Sequence, residues 1–174
     1  MHVFLTGEIQ IGKSTVINKT IALVNKNIGG FQTYFGPDRG LPNRRLYLNS
    51  AAKSKIIREE NAVVQFREGE IPLAQSEKFD TYGAKIIRDA RKESNLIIMD
   101  ECGNLERQAI LFQREILDTL DGNIPILGII KQDSSGWTDC IRNHPRVRII
   151  TVTKENRNEL PMIIEDYILK GEDY

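Results

Sequence analysis

Four short runs are nearly continuous in apolar, largely β-branched residues: 3–6, 96–99, 124–130 and 147–153. A strand that is apolar at every position is covered on both faces, the habit of strands inside a parallel sheet. Between these runs the apolar spacing changes to three and four. Ile17, Ile21 and Val24 share one face of a helix over 14–26. Phe79, Tyr82, Ile86 and Ala90 do the same over 76–92, and Leu105, Ala109, Phe112, Ile116 and Leu120 over 104–120. A last helix over 158–170 carries Leu160, Ile163, Ile164, Tyr167 and Ile168, with Asn158 as N-cap and Pro161 in the tolerant first turn. Strands alternating with helices predict an α/β fold of three layers, a mostly parallel sheet with helices on both faces.

The stretch 29–67 breaks this rhythm. It holds Gly29-Gly30, Pro37, Gly40 and Pro42, then two alternating segments, 44–48 and 62–66, which read as short antiparallel strands on the edge of the main sheet. The reading is a single domain over 1–174 with an irregular, antiparallel insertion at about 31–67. Residues 171–174 read as a frayed tail.

Charge narrows the classes of function. The 24 basic side chains balance 24 acidic ones among 174 residues, so a nucleic-acid partner held by bulk phosphate neutralisation is not expected. Any anion must be held locally. The longest apolar run, 124–130, falls far short of the ~20 residues of a membrane-spanning helix. The chain enters its first strand directly after Met1, so neither membrane nor leader is expected and the compartment reads as cytoplasmic, with a monomer favoured. Cys102 and Cys140 are too few for a disulfide framework and read as reduced packing residues.

The first candidate for chemistry is Gly7-Glu8-Ile9-Gln10-Ile11-Gly12-Lys13-Ser14, which matches G-x-x-x-x-G-K-[ST] and is followed by Thr15. It lies between an apolar strand and an amphipathic helix. There glycines let successive backbone N–H groups curl around an anion, and the helix N-terminus adds its partial positive charge. Residues 7–15 are the expected nucleotide-binding segment. Lys13 is expected to reach the β- and γ-phosphoryl oxygens, and Ser14 to offer its hydroxyl to Mg²⁺.

The second is Leu96-Ile97-Ile98-Met99-Asp100-Glu101, a strand that delivers two carboxylates at its C-terminal end, the ligand side of an open α/β sheet. Asp100 reads as the acid that holds Mg²⁺ through water. Glu101, turned by chain leaving the strand, reads as the base that activates water.

Together these blocks resemble the small P-loop nucleoside-triphosphatases, the family that includes the cancer-related nucleoside-triphosphatase and its thermophile-type relatives. The resemblance rests on residues 7–15, on Gly29-Gly30-Phe31 with Thr33, and on Asp100-Glu101-Cys102-Gly103-Asn104-Leu105-Glu106, similar to D-E-x-G-x-x-E. It also rests on Val152-Thr153-Lys154-Glu155-Asn156-Arg157, similar to V-T-x-E-N-R. It implies the P-loop NTPase fold and Mg²⁺-dependent hydrolysis of ATP, GTP and other nucleoside triphosphates, with slack base selectivity and low turnover. Lys131 stands where that family carries a basic residue; phosphate contact and a solvated strand end are both open. The chain departs from the pattern at Thr33-Tyr34-Phe35-Gly36-Pro37, against T-x-E-V-R, and at Glu68-Gly69-Glu70-Ile71-Pro72 in place of a Gly-rich segment.

Two other functions fit the same loop: a nucleotide or small-molecule kinase whose acceptor binds in 31–66, and a nucleotide-switched binding module. Ile130-Lys131-Gln132-Asp133 lacks the first polar residue of a guanine-reading [NT]-K-x-D. Trp137 reads as a packing residue, His2 and His144 as solvated or capped. Arg44, Arg45 and Arg142 are candidate anion contacts or solvated charges.

Overall fold

A computed structural model describes residues 1–170; the expected tail, 171–174, lies outside the described residues. The strands are β1 (His2–Thr6), β2 (Ile28–Phe35), β3 (Arg44–Ser50), β4 (Ala62–Phe66), β5 (Leu73–Ala74), β6 (Leu96–Cys102), β7 (Ile126–Ile130) and β8 (Val147–Thr151). The helices are α1 (Lys13–Val24), α2 (Ser76–Lys78), α3 (Ala84–Glu93), α4 (Ile110–Leu120), α5 (Trp137–Arg142) and α6 (Leu160–Lys170). One sheet runs β5-β4-β3-β2-β6-β7-β1-β8. Strands β2, β6, β7, β1 and β8 pair in parallel, and β3, β4 and β5 extend the β2 edge antiparallel. This is the expected α/β architecture.

The all-apolar strands are explained by two cores, one per sheet face. Val3, Leu5, Leu96, Ile98, Leu127 and Ile129 pack with Val16 and Ile17 of α1 and with Leu160, Ile164 and Ile168 of α6. Their strand neighbours Phe4, Ile97, Met99, Ile126 and Ile130 point the other way, onto Ile87, Phe112, Ile116 and Leu120 of α3 and α4. Alternation of period two is still present; both faces are simply buried.

Several elements differ from expectation. The insertion begins after Phe35, because β2 is a full member of the parallel core, pairing Gly29 to Ile97 and Gly30 to Ile98. Its glycines hid it, and the packing requires them: a Cβ on Gly30, at φ +85°, would lie 2.0 Å from the Ile98 carbonyl oxygen. The helix expected from 104 starts at Ile110, since Ala109 lies outside the helical region and Glu106 folds back to Gly103. Asp80 then accepts the Phe112 N–H at 2.9 Å, satisfying one of the donors a helix start leaves open. The 76–92 helix is interrupted by a π-turn, Phe79–Gly83. Strand β8 stops at Thr151, and α6 starts at Leu160, two residues beyond Asn158, which therefore does not cap it. Strand β5 and helix α5 were not foreseen; both are too short to show a period.

Candidate active site

The loop 7–15 and the carboxylates lie at the C-terminal ends of parallel strands, where α/β sheets hold ligands. Strand β7 stands between β1 and β6, so the loop after β1 and the acids of β6 face each other across one strand.

Left-handed backbone at Gly7 (φ +133°), Gln10 (φ +62°) and Gly12 (φ +114°) curls the loop. Gly7 is obligatory for space as well, since a Cβ there would meet the Val152 carbonyl oxygen at 2.8 Å. The first intrahelical bond of α1 runs from Val16 N–H to Gly12 O at 3.0 Å. The N–H groups of Gly12, Lys13, Ser14 and Thr15 donate to no group among the described residues. These donors, at a helix N-terminus, make an anion seat. Lys13 Nζ donates to the carbonyl oxygens of Gly7 (2.8 Å) and Glu8 (2.7 Å), which fixes the ammonium at the loop.

Strand β6 runs on through Asp100 and Glu101 to Cys102, so Glu101 sits within the strand and not on chain leaving it. What frees it from strict alternation is a bulge: Met99 pairs with Gly128 and Cys102 with Ile130, three steps on β6 against two on β7. The Asp100–Glu101 peptide is cis. Burial pushes the Asp100 carboxyl up to about 7, reinforced by the Glu101 charge and opposed by Lys55 and Lys13. Burial also raises Glu101, against the pull of Lys13 and Lys131. Lys13 therefore acts on both acids, as the loop-and-strand reading requires, and Lys131, exposed at the end of β7, acts on Glu101. The Asp100 carboxylate accepts no hydrogen bond from the described residues, while its backbone oxygen accepts one from Thr33 Oγ1 at 3.0 Å.

Three supports were not assigned roles from the sequence. Lys55, in the loop after β3, lies over the Tyr34 ring at 5.2 Å, and the Tyr34 hydroxyl anchors that loop by accepting from Ile56 N–H at 2.8 Å. Glu106 is buried and accepts the Gly103 N–H at 2.8 Å; burial raises its carboxyl to about 7. Arg157 donates to the Ile11 carbonyl oxygen at 3.2 Å. Only the family pattern had drawn attention to Glu106 and Arg157; nothing in sequence spacing singles out Lys55.

The weaker candidates resolve by their contacts. Trp137 is a packing residue whose Nε1 donates to Gly103 O at 2.9 Å. Arg142 is not set out for an anion: it donates to the carbonyl oxygens of Lys131 (2.7 Å) and Ser134 (2.8 Å), binding the 131–136 loop to α5. Arg44 lies over the Phe35 and Phe66 rings, and Arg45 pairs with Glu59. His2 is buried with Nε2 2.8 Å from Leu120 O, and its ring lies 6.5 Å from that of His144, at the end of the sheet away from the loop. Cys102 is buried and Cys140 exposed, both free. A hollow of about 600 Å³ under the start of β2, lined by Asn49, Lys53 and Tyr82 among others, does not border the loop.

A family model described as NTPase matches residues 2–165. The chain belongs to this NTPase family. Among curated relatives it is 25% identical over 170 residues to the nucleoside-triphosphatase THEP1 of Thermotoga petrophila, covering 98% of this chain and 93% of that protein. It is 29% identical over 176 residues to the human cancer-related nucleoside-triphosphatase, covering 91% and 92%. The fold matches the crystal structure of THEP1 from Aquifex aeolicus (TM-score 0.73, 21% identity, 94% and 96% covered). It also matches the solution structure of the human cancer-related protein (TM-score 0.75, 24% identity, 99% and 99% covered). Among the described residues no helix is long and apolar enough to cross a membrane.

Proposed function

We propose that this chain hydrolyses nucleoside triphosphates to diphosphate and orthophosphate, with the triphosphate held by residues 7–15 and water activated at Glu101. Family membership supports the class of activity. The observation that favours water over another acceptor is the cleft beside Glu101. Thr33, Leu46, Gly103, Asn104, Leu105, Glu106 and Lys131 complete its lining, and it measures about 30 Å³. That volume is enough to seat one or two waters beside Glu101.

In the reaction, a water oxygen attacks the γ-phosphorus, the bond from the γ-phosphorus to the β,γ-bridging oxygen breaks, and the water proton passes to Glu101. A carboxyl raised by burial is a stronger base than a solvated one. Lys13 and the loop N–H groups balance charge on the phosphoryl oxygens, which is where phosphoryl transfer needs most help. A carboxylate left without donors among the described residues fits a hard divalent cation, so Asp100, through water, and the exposed hydroxyl of Ser14 are the residues that would hold Mg²⁺. When bound, such a cation neutralises phosphate charge. Lys131, exposed at the end of β7 with its charge acting on Glu101, is the further residue proposed to contact phosphate.

The test is phosphate release from ATP, GTP, CTP and UTP with and without Mg²⁺ and with no added acceptor. The expected result is release from all four that requires Mg²⁺ and drops ~10²-fold in Glu101→Gln with nucleotide still bound, the range for losing a general base. Parent-like turnover by that variant sinks the role given to Glu101. Diphosphate formation only on addition of an acceptor alcohol would establish a kinase instead.

A further inference from the structure

The segment Val152-Thr153-Lys154-Glu155-Asn156-Arg157 has no part in the reaction above, yet it touches the phosphate-binding loop at both ends. At one end Val152 N–H donates to Thr6 O at 2.8 Å, and the Val152 carbonyl fills the space where Gly7 has no side chain. At the other end Arg157 donates to Ile11 O at 3.2 Å, and its Cδ lies 3.7 Å from where a Gly12 Cβ would stand. Between them the turn is locked on itself. Thr153 N–H donates to Asn156 Oδ1 at 2.8 Å, Asn156 N–H returns to Thr153 Oγ1 at 3.3 Å, and Asn156 Nδ2 reaches Thr151 O at 2.9 Å.

The contact at Ile11 has a chemical consequence. The Ile11–Gly12 peptide is trans, so its carbonyl and its N–H point in opposite directions. Fixing the carbonyl on the guanidinium fixes the Gly12 N–H away from it, and that N–H is one of the donors with no partner among the described residues. A cation on the carbonyl also polarises the peptide and strengthens the N–H as a donor.

We infer that Arg157 is a positioning residue for phosphate: through the Ile11 carbonyl it aims the Gly12 N–H at the polyphosphate, and the turn locked by Thr153 and Asn156 holds the guanidinium in place. This rests on the triphosphate reading of residues 7–15. The Gly12 N–H serves bound substrate and transition state alike, so its loss acts on KM more than on kcat.

The experiment titrates inorganic tripolyphosphate into the full-length parent, Arg157→Met, Arg157→Lys and Asn156→Ala by calorimetry. The Gly12 amide proton shift is followed on binding, and KM and kcat are measured with ATP. Arg157→Met keeps the packing on Gly12 without the donor; the expected Kd for tripolyphosphate rises about tenfold, the loss of one charge-assisted hydrogen bond. Its Gly12 amide shift on binding shrinks, KM rises by a similar factor, and kcat stays within threefold. Arg157→Lys, which keeps charge and donor, returns Kd to within threefold of the parent. Asn156→Ala moves Kd in the same direction as Arg157→Met and decides the matter if the Met variant does not fold. Parent-like Kd and Gly12 shift in Arg157→Met, or parent-like Kd in Asn156→Ala, overturns the inference while leaving the NTPase reading intact. No tripolyphosphate binding by the parent overturns both.

Discussion

Glu106→Gln isolates a buried carboxyl whose effect on stability runs opposite to that of an ordinary surface acid. Glu106 is 3% exposed, accepts the Gly103 N–H, and is raised by burial from 4.5 to about 7. In the unfolded chain it ionises near 4.5; in the folded protein it keeps its proton to about 7. Between those values the folded state binds more protons than the unfolded one, so stability falls as pH rises through the window and levels off above it. At 1.36 kcal/mol per unit the window is worth ~3 kcal/mol. Glutamine retains an oxygen for the Gly103 N–H and cannot ionise. The variant should therefore gain ~2.5 kcal/mol on the parent between pH 5 and pH 8, a relative shift of roughly 1.2 M in urea midpoint at a typical slope of ~2 kcal/mol/M. The raw profile does not isolate Glu106, because burial lowers His2 to about 4, and a histidine kept neutral loses stability as pH falls over an overlapping range. Asp100 adds a slope of the same sign as Glu106. Both cancel in the difference between parent and variant, measured by urea denaturation at pH 5, 6, 7 and 8. A difference that stays constant across that series refutes the assignment of a buried, neutral-pH carboxyl to Glu106.

Other outcomes are expected from the same geometry. Phosphate release should rise with pH through about 7 at limiting Mg²⁺, as the Asp100 carboxyl loses its proton, and the limb should move to lower pH at saturating Mg²⁺ because a cation competes with the proton; an Mg²⁺-independent limb would contradict metal binding by Asp100. Lys55→Gln removes a charge that holds Asp100 down, so the same limb should move to higher pH in kinetics compared at one Mg²⁺ concentration. Gly30→Ala drives a Cβ against the Ile98 carbonyl and should destabilise by ~3 kcal/mol or more in chemical denaturation. Lys13→Ala should abolish tripolyphosphate binding in calorimetry, since its Nζ, held on the Gly7 and Glu8 carbonyl oxygens, is the ammonium of the loop.

The local signals were legible because each depends on a few neighbouring residues. A glycine pair around four residues before Lys13-Ser14 forces a curled loop, and an unbroken apolar run ending in two acids delivers them to one end of a sheet. The helix stripes at Ile17, Phe112 and Ile164 were equally local, and the structure buries all three. What stayed hidden depends on contacts between distant segments. Gly29 and Gly30 look like strand breakers until Ser94, Ala90 and Ile98 are packed against them, and only then does β2 become part of the core. Glu101 looks like a strand end, and only the pairing of β6 with β7 shows that the strand runs on past it through a bulge between Met99 and Cys102. Lys55, Glu106 and Arg157 carry no periodicity at all. Lys55 and Arg157 matter because the fold brings them from remote segments to Asp100 and Ile11, and Glu106 matters because burial removes the water that would solvate its charge beside Gly103. The sequence alone determined which loop would curl between strand and helix and which strands would be buried; tertiary structure decided which side chain from a distant segment holds that loop in place.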